Sequence, residues 1–236
     1  MMLSPTTYSI TYENTVALLT QIVCQSYGYE VEKGRSALVI YDKAGHKSFA
    51  VKLPLPFPAF TESLETYIEE VNDPAEPYLM LLIQAGHAAL GYFQEEELVL
   101  HKTITRYMVR GNGKAQVTYL KQKGKSKAGS RVRLAQTIDF FEAINDKLLS
   151  WAVADECQRI LYSAPIHFWN SVFSSKVAPP FKKDDPRLRA IPYDVNIPKM
   201  EELERINTLG LLGQVLLYGE KAFSIVAPYL LKQNED

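Results

Sequence analysis

The amino-acid sequence predicts a mixed α/β fold, in which a mixed sheet containing an antiparallel meander is flanked by helices. Residues Tyr78–Gln84 are nearly all apolar, as expected of a central strand that is covered on both faces. Two further strand patterns, at 88–93 and 98–109, follow after connections of three and four residues, which suit antiparallel neighbours. Beyond residue 137 helix and strand patterns alternate, which indicates that helices pack on this sheet.

The segment before the meander is predicted to form a helix, a hairpin and a second helix. Apolar side chains recur at helical spacing over about 13–25, which predicts an amphipathic helix. The apolar run Ala37–Tyr41 and the alternating run 48–53 flank a glycine-containing turn and predict a hairpin. Thr61 is expected to open the second helix, whose apolar stripe covers 64–71.

The residues after the meander predict two longer helices, two short strands and a short C-terminal helix. One helix is expected from near residue 137 through residue 151 towards 158, and the other is opened by Pro198, whose ring suits a first helical position. Short apolar runs at 160–163 and 214–218 predict strands. Apolar patches in the tail after residue 220 predict the short helix.

The size and composition indicate a globular protein of the cytoplasm. A chain of 236 residues, 47% of them hydrophobic, can bury a sizeable core. We expect an N-terminal extension at 1–75 packed on the core, a central domain at 76–219 that contains the functional site, and a tail at 220–236. Cys24 and Cys157 form no CxxC pair, which gives no disulfide framework. Neither a signal-peptide pattern nor an apolar run of the ~20 residues needed to span a bilayer is present, so we expect no membrane segment.

A basic segment stands out from this balanced background. The net charge is −1, yet residues 102–138 contain ten of the 26 Lys and Arg residues and no Asp or Glu. Cations on a glycine-containing loop can follow a phosphate backbone and release its condensed counterions, so the segment predicts RNA binding; the alternative is an ordinary solvated loop. The ten cations are Lys102, Arg106, Arg110, Lys114, Lys121, Lys123, Lys125, Lys127, Arg131 and Arg133.

One glutamine in this segment is the candidate catalytic residue. Gln116 follows Gly111, Gly113 and Ala115, small residues that allow a loop to enter a crowded site. A glutamine amide cannot act as a general base near neutral pH, but it can orient a water molecule or stabilise an oxyanion. Gly-x-x-Gln alone is a weak pattern, and most such glutamines are solvated side chains.

The other sequence patterns exclude several classes of enzyme. The four histidines, at 46, 87, 101 and 167, show no i, i+4 pairing, so we expect no metal site. The sequence contains no phosphate-binding P-loop, no nucleophile elbow and no dinucleotide fingerprint, and we expect no cofactor.

Residues 77–219 resemble the Vms-like release factor (VLRF) family, whose members include a eukaryotic protein with ankyrin repeats and a zinc finger. The resemblance rests on a series of short motifs in a fixed order. These motifs are Gly86-His87-x-Ala89, Gly91-x-Phe93-Gln94, His101-Lys102-Thr103, Arg106-Tyr107-x-Val109-Arg110, Gly113-x-Ala115-Gln116, Ala128-Gly129-Ser130 and Asp185-Pro186-Arg187-Leu188. The sequence differs from ordinary release factors in having Gly-Lys-Ala-Gln in place of Gly-Gly-Gln.

The resemblance implies a fold similar to the middle domain of eukaryotic and archaeal class I release factors. It also implies a peptidyl-tRNA hydrolase of ribosome-associated quality control, which frees nascent chains from stalled large ribosomal subunits. Gln116 would then enter the peptidyl transferase centre, and the cations would bind ribosomal RNA and the tRNA acceptor end. The chain resembles a stand-alone bacterial member that acts as a monomer.

Two other functions remain open at this point. The first is a tRNA endonuclease that removes the 3′ CCA end, and the second is a non-catalytic module that binds the ribosome or RNA. Ester hydrolysis is favoured over cleavage of the tRNA because a nuclease usually needs a general base. The nearest titratable base is His101, which we expect to lie well over ~20 Å from the base of the loop if the strand stays straight.

Overall fold

In a computed structural model, the described residues are 6–32, 36–60, 63–71, 74–106 and 125–231, with the backbone alone described at 125–135 and 220. They form two compact units. The first contains the described residues of Met1–Pro77, Gln94–Glu96 and Arg205–Asp236. The second contains those of Tyr78–Phe93 and Glu97–Glu204.

The described residues form ten strands and six helices. The strands are β1 (Thr6–Ile10), β2 (Gly28–Glu32), β3 (Ala37–Tyr41), β4 (Lys47–Lys52), β5 (Tyr78–Gln84), β6 (His87–Gln94), β7 (Glu97–Thr105), β8 (Arg159–Ser163), β9 (Leu188–Ala190) and β10 (Gly213–Leu217). The helices are α1 (Tyr12–Cys24), α2 (Leu64–Glu70), α3 (Lys125–Trp151), α4 (Ile166–Ser174), α5 (Met200–Gly210) and α6 (Glu220–Val226), the last followed by a 3-10 turn at Ala227–Tyr229.

The first unit is built on an antiparallel sheet with the strand order β1-β10-β4-β3-β2. The predicted hairpin is confirmed as β3 and β4. Gly213 begins β10 at a point where no side chain fits, because a Cβ there would lie 2.8 Å from the Thr15 Oγ1 and 3.1 Å from the Lys52 carbonyl oxygen. The glycine therefore allows β10 to pass between β1 and β4.

Helices α1 and α2 begin at side-chain caps. The Thr11 hydroxyl accepts a hydrogen bond from the Asn14 N–H at 3.1 Å, and the Ser63 hydroxyl accepts one from the Thr66 N–H at 3.2 Å. The predicted helix at 13–25 is confirmed. The prediction that Thr61 opens the second helix is wrong, because Ser63 occupies the cap position; Thr61 itself lies outside the described residues.

The second unit confirms the mixed sheet with an antiparallel meander. Its strand order is β7-β6-β5-β8-β9, with β5 antiparallel to β6 and parallel to β8, and β8 parallel to β9. Glu95 and Glu96, at φ 49° and 68°, make the turn between β6 and β7. Two positive φ angles in succession match the twist of a tight antiparallel hairpin. Asn207 donates a hydrogen bond to the Glu96 carbonyl at 2.9 Å, and both residues belong to the first unit.

The core of the second unit lies between this sheet and α3 and α4. From the sheet it takes apolar side chains such as Leu81, Leu90 and Ile160, and from the helices it takes Ile144 and Trp169. All five side chains are less than 5% exposed. The continuous apolar run of β5 is thereby explained, since the strand is central and buried along nearly its whole length.

Helix α3 is longer than predicted at its start and shorter at its end. It begins at Lys125, not near residue 137, because Lys, Ala, Arg and Leu at 125–135 are good helix formers although they show no amphipathic pattern. It ends at Trp151 because Ala152 adopts a left-handed φ of 55°. Lys125 and Lys127, which the sequence placed on a flexible loop, are therefore helical.

Strand β7 ends at Thr105, so it is shorter than the strand predicted at 98–109. Residues 107–109 lie outside the described residues.

Residues 205–231 pack with the N-terminal segment, since β10 pairs with both β1 and β4. This division differs from the boundaries expected at residues 75 and 219. The strand predicted at 214–218 and the short helix after residue 220 are confirmed as β10 and α6. Among the described residues, no helix has both the length and the apolar character that crossing a bilayer requires.

Candidate functional site

The residues that the sequence predicts to act on RNA fall into three groups. Lys102 and Arg106, in β7 and directly after it, are described with their side chains. The backbone alone is described for Lys125, Lys127, Arg131 and Arg133 on the first turns of α3. The remaining predicted residues lie outside the described residues: Arg110, Gly111, Gly113, Lys114, Ala115, Gln116, Lys121 and Lys123.

Lys102 interrupts an otherwise apolar row on β7. Alternate residues of a strand share one face, so Leu100, Lys102 and Ile104 lie in one row. Ile104 is buried in the core and Leu100 packs against it, whereas Lys102 is exposed. His101 and Thr103 belong to the opposite face of the strand, and both are exposed. A lysine in the row that faces the core marks the place where core packing gives way to an open cleft.

This cleft lies between the end of β7 and the second half of α3 and has a volume of about 460 Å³. Residues 102–106 form one wall, and Ala143, Asp146, Lys147 and Ser150 form the other. The four helical residues follow an i, i+3, i+4, i+7 spacing, which places them on one stripe of α3. The stripe borders the apolar stripe that contains Ile144 and Leu148, so the cleft lies at the edge of the core.

The cleft contains three cations, one carboxylate and three hydroxyl groups. Within the described part of the chain, Lys102, Arg106, Asp146 and Lys147 form no ion pair with one another or with other side chains. The Arg106 Nη1 donates to the Thr105 carbonyl at 2.9 Å, and the Lys147 ammonium lies 5.4 Å from the centroid of the Trp151 ring. Positive charge therefore exceeds negative charge, and both contacts leave donors of Arg106 and Lys147 available to a ligand.

The sequence analysis identified Lys102 and Arg106 but missed Asp146, Lys147 and Ser150. The fold brings these residues together across about 40 positions of sequence, and no local charge pattern marks the second group. A detectable signal was the second stripe on α3, which is polar and adjoins the apolar stripe.

The late motif Asp185-Pro186-Arg187-Leu188 has a structural role in this fold. The Arg187 guanidinium donates to both carboxylate oxygens of Asp185, and its Nη1 also donates to the carbonyl oxygens of Ala154 at 2.7 Å and Cys157 at 3.0 Å. The Arg187 carbonyl accepts a hydrogen bond from the Ile160 N–H at 3.0 Å. The motif thus fastens the turn after α3 to the start of β8 and β9.

The ionisable groups around this motif respond to the same contacts. Hydrogen bonds from Arg187 lower the pKa of the Asp185 carboxyl group, and the Asp185 side chain in turn raises the pKa of Arg187. Burial raises the pKa of the Cys157 thiol to about 12. The thiol donates to the Val153 carbonyl oxygen at 3.2 Å, which marks Cys157 as a packed core residue and not a nucleophile.

Among the described residues, no group of three His, Cys, Asp or Glu side chains is arranged to hold a metal ion. His101 lies five residues before Arg106, or about 17 Å along an extended strand. The expectation of more than 20 Å concerned the distance from His101 to Arg110, which lies outside the described residues.

Comparison with curated proteins finds relatives over about half of the chain. A human protein named "tRNA endonuclease ANKZF1" is 37% identical over 133 residues, and the mouse protein of the same name is 33% identical over 134 residues. These matches cover 54% and 55% of this chain but 18% of each relative, so the chain spans about a fifth of their length. A solved structure described as the "Vms1 mitochondrial localization core" has a TM-score of 0.45 and 16% identity, covering 85% of this chain and 81% of that one.

A family model also matches the sequence. The model described as "Bacteroidetes VLRF1 release factor" matches residues 78–213, which is more than half of the chain. The matched segment runs from the first residue of β5 to the first residue of β10 and includes the cleft and Gln116. The resemblance to the VLRF family that the motifs indicated is confirmed, and the chain belongs to the Bacteroidetes VLRF1 release factor family.

Proposed function

We propose that this protein separates nascent chains from tRNA on stalled large ribosomal subunits, by acting at the 3′ end of peptidyl-tRNA in ribosome-associated quality control. The observation that carries the proposal is the match of residues 78–213 to a release factor family. The partners would be peptidyl-tRNA and ribosomal RNA.

The described geometry supports different roles for the cations of the basic segment and for the part that contains Gln116. Lys102 and Arg106 stand where β7 ends, and α3 begins at Lys125, so residues 107–124 connect two ordered elements and contain Gln116. We assign the cations of this segment and of the first turns of α3 to docking on RNA phosphates. Gly111, Gly113 and Ala115 would allow the backbone to approach the tRNA end closely.

The first candidate reaction is hydrolysis of the peptidyl-tRNA ester. Attack on an acyl carbon needs an aligned water molecule and stabilisation of the oxyanion, which the Gln116 amide and backbone N–H groups can supply without a titrating group. Among the described residues that line the cleft, Asp146 is the one carboxylate, and no histidine is present.

The second candidate reaction is cleavage of the tRNA itself near its 3′ CCA end. The specific observation in its favour is the name of the human and mouse relatives, "tRNA endonuclease ANKZF1". Their alignments with this chain cover 133 and 134 residues. The neighbouring ribose 2′-hydroxyl would lose its proton to water and attack the phosphorus to form a 2′,3′-cyclic phosphate. The bond to the 5′-oxygen of the next nucleotide would break, and that oxygen would take up a proton from water, while cations of the basic segment would stabilise the developing charge. The name of the relatives favours this reaction, whereas ester hydrolysis is favoured because it requires no general base beside Gln116.

A single reaction with purified ribosome–peptidyl-tRNA complexes tests the proposal. Free peptide with intact tRNA 3′ ends supports the hydrolase, and tRNA that has lost its CCA nucleotides to the peptide-bearing fragment supports the nuclease. A protein that binds the complexes but changes neither product is a non-catalytic module, which contradicts the proposal. Gln116→Ala should slow either reaction by a factor of about 10²–10³, and Gln122→Ala, another glutamine of the same segment, is the matched control.

A further inference from the structure

We propose that the cleft between β7 and α3 binds one phosphodiester-linked nucleotide of single-stranded RNA, with the phosphate held by Lys102, Arg106 and Lys147. This inference rests on the proposed function and names a second contact with RNA beside the segment that contains Gln116. Asp146 and Lys147 are separated from the basic segment in sequence, and no sequence pattern indicated them.

The first argument concerns the position of Lys102. Its row on β7 otherwise holds apolar side chains that pack in the core, and an apolar side chain would continue that packing. Lys102 instead stands exposed at the mouth of the cleft, with no ion-pair partner in the described part of the chain. A cation in this place contributes little to packing, and a phosphate is the natural partner for it.

The second argument concerns the convergence of charge from two elements. Lys102 and Arg106 reach the cleft from the strand side, and Lys147 reaches it from the helix. The contact with the Trp151 ring at 5.4 Å restricts the Lys147 side chain, so less conformational entropy is lost when it binds. Cations that meet in a concave site over the buried Ile104 act where water screens them less than on an open surface.

The third argument concerns size and the neutral donors. A cleft of about 460 Å³ is in the range of small-ligand sites and accommodates a single nucleotide. Thr103, Thr105 and Ser150 add hydroxyl groups, which commonly bind phosphate and sugar oxygens in protein–nucleic acid complexes. Asp146 would repel the phosphate, so removing its charge should strengthen binding, whereas removing the charge of Lys147 should weaken it.

The experiment measures the binding of a fluorescein-labelled oligoribonucleotide of eight cytidine and adenosine residues by the intact protein, as a function of salt. Lys147→Gln should weaken binding about tenfold and lower the log–log salt slope by ~0.7, the value for one phosphate contact with a single strand. Lys147→Arg should retain most of the affinity. Asp146→Asn should tighten binding several-fold, because it removes a negative charge near the phosphate.

Two exposed residues of the same unit give matched controls. Lys176→Gln and Asp184→Asn change the same charges outside the cleft and should leave both affinity and slope unchanged. Equal melting temperatures of all variants would show that the fold is intact. Wild-type affinity and slope in Lys147→Gln, or no measurable binding by the wild-type protein, would overturn the cleft proposal. Because Gln116→Ala does not touch the cleft, its effect on chain release tests the proposed function separately.

Discussion

Arg187 and Asp185 form a two-pronged ion pair, in which Nε lies 3.0 Å from Oδ1 and Nη2 lies 2.8 Å from Oδ2. The same guanidinium donates to two backbone carbonyl oxygens in the turn after α3. One side chain therefore joins two parts of the second unit: the turn between α3 and β8 and the residues before β9. The motif at 185–188 thus has a structural role in the fold of the second unit.

Arg187→Ala should lower the free energy of unfolding by about 2–3 kcal/mol, since it removes hydrogen bonds to a charged partner and leaves half-buried acceptors unsatisfied. Arg187→Lys should recover only part of this loss, because an ammonium group cannot form the planar fork. Urea denaturation followed by circular dichroism measures both. Lys176→Ala, at an exposed site, is the control and should change stability by less than about 0.5 kcal/mol. Equal stability of Arg187→Lys and the wild type would show that charge alone suffices.

The same pair makes stability depend on pH in the acid range. Arg187 lowers the pKa of Asp185 in the folded state, so the contribution of this carboxylate is present above the unfolded pKa of about 4 and is lost as the pH falls through the lower folded value. Stability should therefore decline below about pH 4 in the wild-type protein, and this part of the decline should be smaller in Arg187→Ala. Denaturant midpoints measured from pH 2.5 to 7 test the difference between the two proteins. Parallel pH profiles would contradict the linkage.

Only one of the two cysteines should react in the native protein. Cys24 is exposed, whereas Cys157 is 3% exposed and its pKa is raised to about 12 by burial, so very little thiolate forms at pH 8. Titration with a chromogenic disulfide should give one equivalent quickly and the second after denaturation. Native Cys24→Ser should then give almost no fast reaction. Rapid modification of Cys157 in Cys24→Ser would show that the turn after α3 opens readily.

Hydrogen exchange distinguishes the helix start seen in the structure from the one expected from the sequence. Since α3 begins at Lys125 and the first four N–H groups of a helix lack partners within it, protection should appear from about residue 129. It should be weaker at 129–135 than at 140–151, because the latter part contains the buried Phe140, Ile144 and Leu148. Peptides resolved by mass spectrometry measure this. Exchange at coil rates through residue 135 would restore the start near residue 137.

The sequence predicted the elements whose own side chains form a strong pattern. β5 is a continuous apolar run, and α1 has a complete apolar stripe, so both appear with nearly the predicted bounds. β1 and the three-residue β9 were missed, because their place depends on pairing with β10 and β8 and not on their own residues. Helix α4 was missed as well, and its N-terminus has no side-chain cap to mark it.

The same distinction applies to the candidate site: a local sequence pattern predicted some of its residues, and only the fold brings the others to it. Charge composition identified Lys102 and Arg106, because both belong to a segment, 102–138, that contains many cations and no acidic residue. Asp146 and Lys147 belong to a mixed polar stripe whose relation to β7 arises only when α3 packs on the sheet. The length of β7 was overestimated because Met108 and Val109 continue a strand-like pattern past Thr105.

Gln116→Ala should retain ribosome binding and lose activity by a factor of about 10²–10³, the usual effect of removing one oriented hydrogen-bonding group. The cations that we assign to docking are unchanged, so the affinity for ribosome–peptidyl-tRNA complexes should stay within about twofold of the wild type. Single-turnover assays measure the rate, and co-sedimentation measures binding.

Gln116→Glu distinguishes the two reactions further, because a carboxylate introduces a charge that repels phosphate but can act as a base. If ester hydrolysis with an oriented water is the reaction, some activity should persist in Gln116→Glu and rise with pH as the carboxylate forms. A wild-type rate in Gln116→Ala would show that this glutamine has no part in the reaction.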